Sequence, residues 1–74
     1  MITPQQRANH NMHSINEIER MIRILHTQCH ISEALRITSL LDACFIIDDD
    51  LKYTKALRRT YLTACQAVDN VLMD

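Results

Sequence analysis

The feature that most constrains this chain is an absence: its 74 residues include no glycine, and the one proline stands at position 4. Glycine reaches positive φ without steric cost, so the tight turns that close hairpins and sheet corners are hard to build without it. Aromatic residues make up only 4% of the chain, and Ile, Leu, Ala, Val, Met and Cys supply most of the apolar content. This argues against a sandwich or barrel and for helices joined by short polar breaks. The expected fold is all-α: a small antiparallel helical bundle of three helices, or a long helical hairpin, that self-associates.

Periodicity places the helices. "TPQQ" (residues 3 to 6) has Thr3 at an N-cap position, Pro4 at the first helical position and Gln6 in capping-box spacing. "SINE" (residues 14 to 17) repeats the capping-box pattern with Ser14 and Glu17. The polar "RANHNMH" between them predicts a break near residues 11 to 14, although one helix running through is the alternative. Residues 1–13 are therefore expected to be flexible or a short leading helix, and residues 14–74 a single helical domain. Ile15, Ile18, Ile22, Leu25 and Cys29 step by three and four, which predicts a helix over about 15–30 with one apolar stripe. Ser32 is the expected cap of a second helix over about 33–47. Its seam is Ile37, Leu40, Leu41, Cys44 and Ile47, flanked by Ala34 and Phe45. "DDD" (residues 48 to 50) reads as a helix end followed by a fresh N-terminus, where carboxylates accept backbone N–H groups. The third helix, about 50–72, carries Leu57, Tyr61, Cys65, Val68 and Leu72, widened by Tyr53, Ala64 and Val71. One helix over 33–72 is the alternative.

Charge narrows the function classes. Eight Lys and Arg against nine Asp and Glu give a formal net charge of -1, so nothing global draws the chain to nucleic acid or an anionic membrane. The longest apolar run, "ACFII" (residues 43 to 47), is too short to span a bilayer. No basic stretch followed by an apolar one opens the chain, so a secretory leader is not expected. Three cysteines in that context predict free thiols and a cytoplasmic setting.

Several stretches invite a chemical reading. "HTQCH" places His26, Cys29 and His30 within one helical turn. However, Cys29 falls in step with Ile22 and Leu25, and no C-x2-C pair supplies further ligands. The expectation is a core thiol beside two helix-end histidines, with no metal and no cofactor. "DDD" lacks the spaced acids, glycine and distal glutamate of a calcium loop, which leaves capping. Lys52, Lys55 and Arg59 share one face of the third helix, with Arg58 nearby, and would be the residues to touch phosphates. Asp48 precedes Lys52 by four, the favoured order for a helical ion pair. No glycine-rich phosphate loop and no nucleophile elbow is present, so no catalytic residue is assigned.

A surplus of apolar residues points to binding. Ile24, Leu35 and Ile46 lie opposite the seams of their helices, and Leu62 sits near the basic row. A single interior has no use for such a second face, so it is expected to bind a protein partner, another copy, or both. "SLLDACFIIDDDLK" followed by "LRRT" resembles the small enterobacterial biofilm-regulating connector proteins, over less than half the chain. That resemblance implies a protein that binds response regulators. The expected function is a non-enzymatic regulator or adaptor acting by protein–protein binding. A DNA-binding regulator using Lys52, Lys55 and Arg59, or a small helical secretion chaperone, is the alternative.

Overall fold

The computed structural model describes the backbone of residues 4–73 and the side chains of residues 13–73. Three helices, α1 (Pro4–Thr27), α2 (Ile31–Phe45) and α3 (Asp50–Met73), pack against one another, with no strand among the described residues. The bundle is elongated, with principal extents of 44 × 17 × 15 Å. A helix of 24 residues is expected to measure about 36 Å, so α1 and α3 set the long axis.

α1 does not break near Asn11–Ser14. "RANHNMH" sets the good helix formers Arg7, Ala8 and Met12 among Asn and His, which cost only a few tenths of a kcal/mol each, and holds no glycine or proline. The "SINE" pattern therefore lies inside a helix rather than at its start. Thr3, and the side chains of Gln6 and His10, lie outside the described residues.

α1 ends earlier than its apolar spacing implies. The His30 N–H donates to the Leu25 carbonyl at 2.8 Å and the Cys29 N–H to the His26 carbonyl at 3.0 Å. Those two bonds are the Schellman closure of a helix C-terminus, which needs a left-handed residue at the position Cys29 occupies. Cys29 has φ 64°, the one positive φ among the described residues. α2 then starts at Ile31 with His30 as N-cap and no side-chain capping bond, so Ser32 is not the cap.

The second turn separates α2 from α3, which excludes a single helix over 33–72. Asp49 caps α3: its Oδ1 accepts the Lys52 N–H at 2.9 Å, and its carbonyl accepts the first helical bond from Tyr53 at 2.8 Å. Asp48 stands ahead of that cap, outside the helix, so the four-residue geometry for pairing with Lys52 does not exist. Two ion pairs among the described residues, Glu17–Arg20 at 3.8 Å and Glu33–Arg36 at 3.6 Å, lie at the surface and are worth little.

Each helix contributes one stripe to the core: Ile18, Met21 and Leu25 from α1; Ala34, Ile37, Leu41 and Cys44 from α2; Tyr53, Leu57, Ala64, Ala67 and Val68 from α3. Burying a large aliphatic side chain is worth roughly 1.5–3 kcal/mol, so these stripes hold the helices together. The stripes differ in detail from the apolar periodicity. Met21 is a core residue that the spacing of isoleucines hides, while Ile15 and Ile22 only flank it. On α2, Leu40 sits at the rim and Phe45 is half exposed. On α3 the centre lies on Thr60, Ala64 and Ala67; Tyr61 and Cys65 are at its edge and Leu72 is exposed.

Thr60 is the one buried polar residue among the described residues. Its hydroxyl donates to the Ala56 carbonyl at 2.9 Å and lies 3.4 Å from Cys44 Sγ. A hydroxyl has one proton to give, so the Cys44 thiol is the donor to Thr60. No buried side-chain nitrogen or oxygen among the described residues lacks a partner.

Candidate interaction surfaces

The "HTQCH" corner is a turn, not a ligand set. Cys29 is exposed, along with His26 and His30, because the helical period that put Cys29 in register with Leu25 stops at Thr27. Among the described residues no group of three or more His, Cys, Asp or Glu side chains is placed to hold a metal ion. Of the other thiols, Cys44 is buried and Cys65 partly so, and all three are free.

α2 presents an apolar outer face beside its buried stripe. Ile31 and Leu35 are one turn apart, and Phe45 continues the same side nearly three turns after Leu35, with Thr38 and Asp42 between them. Leu35 is 58% exposed, Phe45 51% and Ile46, the C-cap of the helix, 81%. Ile24 does not belong to this face. It is partly buried and packs against the core, because α1 meets both other helices and its interior arc is wide. Leu62 is exposed but lies on α3, beside the basic row.

A groove runs between α2 and α3. Its first hollow, about 360 Å³, has Leu40, Ala43, Ile47 and Ala56 along its apolar walls and Arg36 and Arg59 around it. The next hollow shares both arginines and adds Leu62, Gln66 and Asn70. A third, at the start of α2 and the end of α3, is lined by His30, Glu33, Arg36, Ala67, Asn70 and Val71. Gln66 Nε2 donates to Asn70 Oδ1 at 3.2 Å along this wall. Arg36 was not marked by any local pattern; only the packing of two helices brings it to the hollow that Arg59 also lines.

Lys52, Lys55 and Arg59 are all exposed on α3. Lys52 is in the first turn, next to the aspartate cap, and Arg59 faces the groove rather than extending a separate basic surface. On the opposite flank Tyr61 neighbours Cys65 on α3, with Glu17 of α1 facing it. Electrostatic interaction with Cys65, the hydrogen bond to it, desolvation and the Glu17 carboxylate together raise the Tyr61 phenol above its ordinary value. A weakly acidic phenol is no activated nucleophile or base near neutrality.

No described helix is long and apolar enough to cross a membrane. Comparison with family models, curated proteins and solved structures brings no match.

Proposed function

We propose that this chain is a small non-enzymatic regulator or adaptor that works by protein–protein binding through the apolar outer face of α2. A transcriptional regulator is the kind of client proposed, and a second copy of the chain is a further partner. One observation carries the reading: Leu35, Phe45 and Ile46 remain exposed on a helix whose other stripe already fills the core. Covering each would contribute roughly 1.5–3 kcal/mol, a large increment for a short, marginally stable domain. The start of α2 lies against the end of α3, which supports an antiparallel course for those two helices and leaves the outer face of α2 open. Ile24, partly buried against the core, adds little to this face, and Leu62 lines the groove.

DNA contact through Lys52, Lys55 and Arg59 has no comparable support, since the row begins beside three aspartates. The experiment is to replace Leu35 and Ile46 with Asp, then measure mass by sedimentation, helicity by circular dichroism and partner recovery from the native host. Association and recovery should fall while helicity holds. Unchanged association and unchanged recovery would refute the proposal.

A further inference from the structure

The groove between α2 and α3 has a charge that the core does not use. Arg59 makes no ion pair among the described residues, and Arg36 has only the solvent-facing Glu33 at 3.6 Å. Both arginines line a hollow of about 360 Å³ whose other walls are Leu40, Ala43, Cys44, Ile47 and Ala56, with Thr60 and Thr63. The chemistry that would complement it is an apolar side chain followed closely by carboxylates. The same chain displays that chemistry at the end of α2: Ile46 is 81% exposed, and Asp48 and Asp49 follow it, both exposed.

Position makes the two surfaces self-complementary. Ala43 stands seven residues after Arg36 and five to seven before Asp48–Asp50; it also lies midway between Leu40 and Ile46. A two-fold axis over Ala43 would set Arg36 of one copy across from the aspartate turn of the other, and Leu40 across from Ile46. Ala43 is exposed and small, which lets two α2 helices approach closely at the axis. Every contact in such an arrangement occurs twice and the assembly closes.

We infer that two copies of this chain pair through the α2–α3 groove, each seating its Ile46–Asp49 turn against the other's Arg36 and Arg59. This rests on the self-association reading above and assigns that association to its own surface. A foreign acidic segment could fill one groove, but only a second copy satisfies both the groove and the exposed acidic turn at once.

A charge swap tests it. One variant carries Arg36→Glu and Arg59→Glu; another carries Asp48→Arg, which spares the Asp49 cap. Each alone opposes like charges across the proposed contact and should raise the dimer dissociation constant about tenfold or more. Mixed in equal amounts they should recover association, because each new charge then meets its opposite. Sedimentation equilibrium reads the masses, and circular dichroism checks that each variant keeps its helices. A parent chain that stays monomeric at high concentration overturns both this inference and the self-association reading. A dimeric parent whose charge variants associate as well as it does overturns this inference alone. Two weakened variants whose mixture stays weak overturn it too.

Discussion

Between α1 and α2 the chain turns on its backbone alone; between α2 and α3 it uses a side chain. The first turn is closed by two main-chain hydrogen bonds and has no side-chain cap, so the cost falls on Cys29, held at φ 64°. A non-glycine residue in the left-handed region is disfavoured by roughly 1–2 kcal/mol, and this chain has no glycine to put there. The second turn keeps ordinary backbone angles at Ile46 and lets Asp49 satisfy an orphan N–H of α3. Turn chemistry held in a side chain can be read locally. Turn geometry held in the backbone leaves no mark on the residue that bears it.

The harshest way to probe this contrast is to weaken the core that both turns serve. Ile37 is fully buried on α2, between the two turns. Ile37→Ala should cost about 2–5 kcal/mol in denaturant unfolding, which would exceed anything either turn contributes. A loss below about 1 kcal/mol would mean that the stripe of α2 is misplaced.

The turns themselves should respond with opposite signs. Asp49→Ala should destabilise by about 1 kcal/mol through loss of the cap. Asp48→Ala, outside the cap, should be near neutral, and an equal effect at both positions would remove the special role of Asp49. Cys29→Gly should stabilise by about 0.5–1 kcal/mol, since relief of the left-handed strain outweighs the added freedom of the unfolded chain. A thermal midpoint that falls in Cys29→Gly would show that the side chain, not the backbone, holds the first turn. The smallest perturbation is chemical labelling of native thiols, which should modify Cys29 first, Cys65 next and Cys44 only on unfolding. Fast labelling of Cys44 would contradict its place beside Thr60.

The legible parts of the fold share a local cause. The aspartate cap, the three-helix division and most of α2's buried stripe follow from spacing and capping chemistry within one segment. The rest depends on neighbours. Cys29 left the core because a helix that ends at Thr27 no longer imposes its period. Ile24 entered it, at its edge, because α1 packs on two helices and hides a wider arc than one seam. The middle of α3 rests on Thr60, Ala64 and Ala67, small side chains that attract no notice in a search for large apolar residues but let helices come close. The exposure of Leu35 and Ile46 follows from angle alone, whereas the meeting of Arg36 and Arg59 at one groove does not, because they belong to different helices.

The shortness of the two turns has a consequence for how fast the bundle forms. Only residues 28–30 and 46–49 lie between consecutive helices, so each helix meets its successor by closing a very small loop. Loop closure is the entropic toll on the search for native contacts, and it grows with the chain between them. Contacts between consecutive helices therefore cost little to close, whereas α1 and α3, which pack most extensively, are separated by the whole of α2. The docking of α2 on each neighbour thus re-forms readily, while the packing of α1 on α3 waits on closure of the longer segment between them.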